Sequence, residues 1–230
     1  MNSSPFNPLG PAHYRPLKSE LQVPGKPCQR VGVLFATREG HTKRIAERIM
    51  SDLLALGFDV DLLTVRRPLS FSLNRYSAAV LAASVHGGSH EKEMVRFVKE
   101  HRSELDGMTT AFASVTLSEA GAEMIDKNPL EHEQFVRDVE GLLGKFFRET
   151  GWHPTLVKPV AGALLYTHYN FLVRLIMKNI ARKAGAFTDT SRDYDYTNWL
   201  ALDKFVEEFA AEVRGKPDAD STGKHQGPAN

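Results

Sequence analysis

The stretch VGVLFATREGHTKRIAERI, Val31 to Ile49, joins an apolar run, a polar turn and a helix-like repeat in one short segment. The run from Val31 to Ala36 reads as a buried strand, and the turn Thr37-Arg38-Glu39-Gly40-His41-Thr42 follows it directly. Beyond the turn Ile45, Ile49, Leu53 and Leu56 recur at helical spacing until Gly57 stops the pattern. Where a strand's carboxyl end feeds a helix's amino end, the Thr37 and Thr42 hydroxyls, free backbone amides and the helix dipole all favour a dianionic phosphate. Gly40 permits a close backbone approach. The same residues also suit a simpler role, in which Thr37 caps the helix and Gly40 only turns the chain. The lysine of a Walker loop and the three glycines of a dinucleotide fingerprint are missing, which disfavours nucleoside triphosphates and NAD.

Outward from this segment, strand-like and helix-like runs alternate. FDVDLLTV (58–65) and YSAAVLAAS (76–84) read as strands, the second continuous and apolar as if covered on both faces. HEKEMVRFVKEHRSEL (90–105) reads as a charged amphipathic helix. TTAFASVTL (109–117) is a fourth strand, LEHEQFVRDVEGLLGKFFRETG (130–151) a helix and PTLVKPVAGALLY (154–166) a fifth strand. A last helix is expected within YTNWLALDKFVEEFAAEVRG (196–215). Parallel neighbours need right-handed helical crossovers, so the expected fold is α/β: a doubly wound five-stranded parallel sheet. Ligands in such folds bind beyond the carboxyl ends of the strands, which singles out the loops after Ala36, Ala83 and Val115.

Composition limits what such a site serves. The 230 residues are 42% hydrophobic and 25% charged, a globular composition with material for one substantial core. With 29 basic against 28 acidic side chains, no global field draws the chain to nucleic acid, and none is expected as a partner. The single cysteine, Cys28, excludes an internal disulfide and fits a reducing cytoplasm. Neither a secretory leader nor a bilayer-spanning segment is expected. Residues 1–28 are expected to form a flexible arm and residues 215–230 a disordered polar tail, flanking a single domain over 29–214. The nine histidines include His86, His90 and His168 near the ligand face, but none shows metal-ligand spacing, and no metal is expected. Ser84 and Ser114 lack a nucleophile elbow, which argues against a hydrolase triad.

Strand, TREGHT turn and helix together resemble the phosphate loop of flavodoxins, with Glu39 where those proteins commonly carry threonine. More specifically, LFATREGHTKRIA, AASVHGG, FASVTL, GWHPTLVKPVAGALLY, RLIMKNIARKAGAFTDT and YTNW occur here in the order seen in the menaquinone-dependent protoporphyrinogen dehydrogenase family. The resemblance runs from about Val31 to the last helix and implies the flavodoxin-like strand order 2-1-3-4-5. It implies that FMN is the cofactor, its phosphate held by Thr37, Arg38, Glu39, Gly40, His41 and Thr42. By the same resemblance Ser84, Val85, His86, Gly87 and Gly88 border the isoalloxazine ring, with Ser114, Val115, Thr116 and Leu117 on its other edge. His86-Gly87 stands where the family would have an arginine followed by an aromatic residue, and His90 is a candidate to shield the ring instead. A reduced tetrapyrrole is the implied substrate, a quinone the implied oxidant and haem synthesis the implied pathway, with His86 as the candidate base. The rival readings are an NAD(P)H:quinone oxidoreductase, an electron-carrier flavodoxin and a flavodoxin-like module without catalysis.

YTHYNFLVRLIMKNIARKAGAFT (166–188) contains no acidic residue, while Arg174, Lys178 and Arg182 recur every four residues with Lys183 beside them. Leu172, Ile176 and Ile180 repeat at the same spacing, so the segment reads as a basic amphipathic helix. The family carries an insertion here, at about 167–187, associated with the membrane and the lipid-soluble partner. Its basic face would attract anionic head groups or substrate propionates, and peripheral contact with the inner face of the cell membrane is the implied location. The competing reading is a surface helix packed on the sheet with solvated charges. Tyr166, Tyr169 and Trp152 are candidates to flank a flat substrate, or ordinary packing aromatics. Oligomeric state is left open.

Overall fold

The computed structural model describes residues 29–66, 72–123, 129–164, 166–168 and 189–215. The opening segment forms β1 (Arg30–Ala36) and α1 (His41–Ala55), as its two periodicities require. After them come β2 (Asp59–Thr64), β3 (Ala78–His86), β4 (Ser89–His90), α2 (Lys92–Glu100) and α3 (Arg102–Asp106). The second half holds β5 (Thr109–Thr116), α4 (Leu117–Ala122), α5 (Pro129–Thr150), β6 (Leu156–Ala161), β7 (Ala163–Leu164), β8 (Tyr194–Asp195) and α6 (Trp199–Gly215).

Strand order is β2-β1-β3-β5-β6, with all neighbours parallel. This is the expected five-stranded order 2-1-3-4-5, carried by the five long strands in chain order. The short β4 adds a sixth strand, antiparallel to β3. Gly87 and Gly88, at φ 57° and 74°, make the turn that folds it back.

Period-two alternation on the central strands feeds two separate cores. Val31, Val33 and Phe35 of β1, with Ala78, Val80 and Ala82 of β3, face α1 and α6, where Ile45, Ile49, Phe205 and Phe209 close the layer. Leu34 of β1, Leu81 of β3 and Phe112 of β5 face the opposite way, onto Met94 and Val98 of α2 and Phe146 of α5. Burial on both faces explains why β3 reads as an unbroken apolar run.

The expected fifth strand ends earlier than its apolar run does. The Gly162 amide still donates to the Thr116 carbonyl at 3.0 Å, a last rung to β5, but its carbonyl accepts from the Tyr196 amide at 3.3 Å, and β7 then pairs with β8 as a separate two-stranded ribbon. The expected helix 90–105 is likewise interrupted at His101. Of the expected insertion, the described residues include only Thr167 and His168, so Arg174, Lys178, Arg182 and Lys183 lie outside them, as do Tyr169, the arm 1–28 and residues 216–230 of the tail.

Candidate cofactor and substrate site

A cavity of about 70 Å3 opens at the carboxyl ends of β1, β3 and β5, where strand order reverses. Thr37, Glu39, His41 and Thr42 line it from the first loop, Ser84, Val85 and His86 from the second, and Val115, Thr116 and Leu117 from the third. Three segments far apart in sequence thus meet at one sheet edge. Gly162 and Ala163 complete the wall and were not anticipated. The cue lay in the Val-Ala-Gly-Ala sequence, since Gly162 breaks a strand at a ligand-facing end.

The first loop is built to present amides. Gly40 stands at φ 91°, a left-handed conformation that glycine adopts without strain, and the space where a Cβ would project is open. Thr37 Oγ1 accepts from the Gly40 amide at 3.2 Å, fixing the turn. No side chain caps the amino end of α1, and its first turn carries no acidic residue. Uncapped amides, the dipole of a 15-residue helix and an open approach at Gly40 fit a dianionic phosphate. His41 is buried beside them. Thr197 gives its hydroxyl hydrogen to the Ala161 carbonyl at 2.9 Å, so its oxygen accepts from His41 Nε2 at 2.8 Å. Nδ1 of His41 is then buried without a partner. Burial, only partly opposed by Asp195, holds the imidazole below its ordinary pKa and therefore neutral.

Other sequence candidates are placed differently. Arg38 is exposed and turns away from the cavity, its Nε donating to Glu91 Oε2 at 3.0 Å. Gly87 and Gly88 shape the second loop without lining the cavity, and Ser114 lies wholly buried behind it. His90 does not shield a ring in the cavity. It is a core residue with its ring centroid 4.8 Å from that of Phe146 and its Nε2 2.8 Å from Ser114 Oγ. Trp152 is also fully buried, edge-on to Phe112 and Phe146, so it cannot flank a substrate. Tyr166 has no exposed surface and packs among Leu164, Tyr194 and Tyr196, which leaves it neither a membrane contact nor a substrate platform.

Glu91 is the main residue that sequence reasoning missed. Its side chain is 2% exposed, and Ser84 Oγ donates to it at 3.2 Å while His86 Nε2 lies 3.4 Å away. In the sequence it reads as one more charge on an amphipathic helix, whereas it occupies the N-cap position of α2 and reaches back beneath the second loop. Lys145 of α5 braces the same loop by donating to the Gly88 carbonyl at 3.0 Å and to Ser89 Oγ at 2.5 Å. Among the described residues there is no cluster suited to hold a metal ion.

The profile of the flavodoxin domain matches residues 32–191. A protoporphyrinogen IX dehydrogenase (quinone) of Leishmania major is 33% identical over 199 residues, spanning 85% of this chain and 82% of that one. The protein of the same name from Escherichia coli strain K12 is 32% identical over 178 residues, 77% of this chain and 93% of that one. Among solved structures, flavodoxin 1 from Bacillus cereus is similar with a TM-score of 0.45 at 14% identity, over 80% of this chain and 98% of that one. By domain and by sequence, this chain belongs to the flavodoxin-domain family and, within it, to the group of protoporphyrinogen IX dehydrogenases (quinone).

Proposed function

We propose that this protein oxidises protoporphyrinogen IX to protoporphyrin IX with FMN as cofactor and a quinone as electron acceptor. The observation that carries the reading is the 33% identity to a protoporphyrinogen IX dehydrogenase (quinone) over 85% of this chain. The flavodoxin domain supplies the cofactor assignment, and the uncapped α1 terminus beside an open Gly40 supports it. When bound, FMN provides the two-electron oxidising chemistry and hands the electrons on to the quinone. The protein's part is to hold, orient and accept protons.

The amides of the first loop and the Thr37 and Thr42 hydroxyls bind the phosphate. Val85, Val115 and Leu117 present apolar surface to the cavity and keep water from the ring. His86, whose side chain is 29% exposed at the cavity, accepts the proton released by the substrate. We further assign the acceptor as menaquinone, the pathway as haem synthesis and the basic segment bearing Arg174, Lys178, Arg182 and Lys183 as a peripheral contact with anionic membrane. No helix among the described residues is long and apolar enough to cross a bilayer. The membrane contact requires that reversing the charges of Arg174, Lys178 and Arg182 lower partition onto anionic liposomes. Equal partition before and after would remove it.

The decisive test is anaerobic formation of protoporphyrin fluorescence by FMN-loaded protein, with and without a soluble menaquinone analogue. Quinone-dependent turnover is expected. Flavin that bleaches with NAD(P)H and yields no porphyrin would replace this function with that of an NAD(P)H:quinone reductase.

A further inference from the structure

Glu91 joins two of the three cavity loops from beneath. The Gly87-Gly88 turn pairs Val85 with His90 and His86 with Ser89, which brings the next residue back under the end of β3. The Glu91 amide donates to the Ser84 carbonyl at 3.1 Å and seals that return. As N-cap of α2, Glu91 makes no side-chain bond to its own helix. Instead one carboxylate oxygen accepts from Arg38 of the first loop at 3.0 Å, while the other accepts from Ser84 Oγ at 3.2 Å and faces His86 Nε2 at 3.4 Å. A carboxylate that is 2% exposed loses most of its hydration, and these donors are what offsets the loss. Of these partners Ser84 and His86 line the cavity, and His86 is the one with a ring nitrogen that can take up a proton.

A carboxylate facing one ring nitrogen of histidine places the ring hydrogen there and leaves the other nitrogen as the acceptor. We infer that Glu91 is the positioning residue for proton removal, holding the His86 hydrogen on Nε2 so that Nδ1 takes the substrate's proton. The inference rests on the proposed dehydrogenase function. Over three two-electron rounds a porphyrinogen loses three hydrides from bridging carbons and three protons, two of them from pyrrole nitrogens and one from the fourth bridging carbon. In a round that releases an N–H proton, the C–H electron pair departs with the hydride to the flavin oxidant. The N–H electron pair stays on the substrate and enters the new conjugated system, while the proton forms its bond to Nδ1. Glu91 itself neither gains nor loses a proton in this step.

The test compares wild type, Glu91→Ala, Glu91→Leu, His86→Ala and the Glu91→Ala/His86→Ala double variant, all as FMN-loaded protein. Turnover with quinone, FMN affinity and the 15N signals of the His86 ring are measured. Glu91→Ala is expected to lower kcat by roughly 10- to 100-fold with KM changed by less than about threefold. The double variant is expected to be no slower than His86→Ala alone, because both changes remove one unit. Wild-type spectra are expected to show the hydrogen on Nε2, a preference that Glu91→Ala loses and a merely structural residue would leave alone. If Glu91→Ala fails to bind FMN, Glu91→Leu, which keeps the side-chain volume and offers His86 no acceptor, is judged by the same kinetic criteria. Wild-type kcat in the variant that binds FMN, multiplicative loss in the double variant, or a wild-type hydrogen on Nδ1 overturns the role of Glu91. Wild type that makes no protoporphyrin overturns the function and this role together, whereas active wild type with unaffected variants overturns Glu91 alone.

Discussion

His90 shows how one residue near the site serves stability rather than chemistry. Burial between Phe112 and Phe146, with the Lys145 charge as a lesser cause, pushes its imidazole down to about 4. The unfolded chain binds a proton there near pH 6.5, so between about pH 6.5 and pH 4 the unfolded state holds more protons than the native state. Stability from this residue therefore falls as pH drops through that window, by about 2 kcal/mol at pH 5. His90→Gln keeps an amide donor toward Ser114 and cannot titrate. The unfolding free energy from urea titrations should fall between pH 7 and pH 5 by about 2 kcal/mol less for the variant than for wild type. Equal losses would mean that His90 is solvated. Sequence alone placed His90 beside the ligand because it follows a loop at a strand end. Its actual role depends on Phe146, 56 residues away, which no local pattern reports.

Among elements, the contact between α4 and α5 has little tolerance for added volume. A Cβ built on Gly121 would lie 2.6 Å from the ring of Phe135, closer than carbon atoms approach without one of them moving. Gly121→Ala should therefore push α5 or rotate Phe135, costing about 1–3 kcal/mol as overpacking does. Chemical denaturation would show it as a lowered midpoint with an unchanged m-value. Pairing it with Phe135→Leu, which shortens the ring side of the contact, should recover part of the loss. The five long strands were legible in the sequence because each carries its own periodicity and each is separated from the next by a crossover, while their order followed from the family resemblance. The β4 hairpin was not. Two residues have no periodicity, and only the paired glycines at positive φ mark the turn. Nor was the break at Gly162, where apolar residues continue but the chain leaves β5 to pair with the distant segment at Tyr194 to Tyr196.

At the scale of the whole molecule, the cavity exists only after β1, β3 and β5 have assembled, since each contributes one wall. A late segment closes it. Thr197, 156 residues after His41, bonds that ring, and Asp195 pairs with Arg44 at 3.5 Å. Any ligand of this site therefore binds the native state and not the unfolded chain, so its binding energy appears as folding stability. At a hundredfold excess over Kd the gain is about 2.7 kcal/mol, or roughly 5–10 °C in Tm for a chain of this size. The two ends of the ligand contribute separately. Contacts from Val85, Val115 and Leu117 are available to any isoalloxazine, whereas the uncapped α1 terminus acts only on a phosphate. Riboflavin at the same concentration should thus raise Tm by less than half as much as FMN, and inorganic phosphate alone should raise it slightly. Gly40→Ala, forced into a left-handed conformation at the phosphate end, should shrink the FMN shift toward that of riboflavin while leaving the riboflavin shift in place. Thermal melts of the apoprotein with each ligand decide the matter: equal shifts for FMN and riboflavin would show that the turn at Thr37 to Thr42 only caps its helix and holds no phosphate.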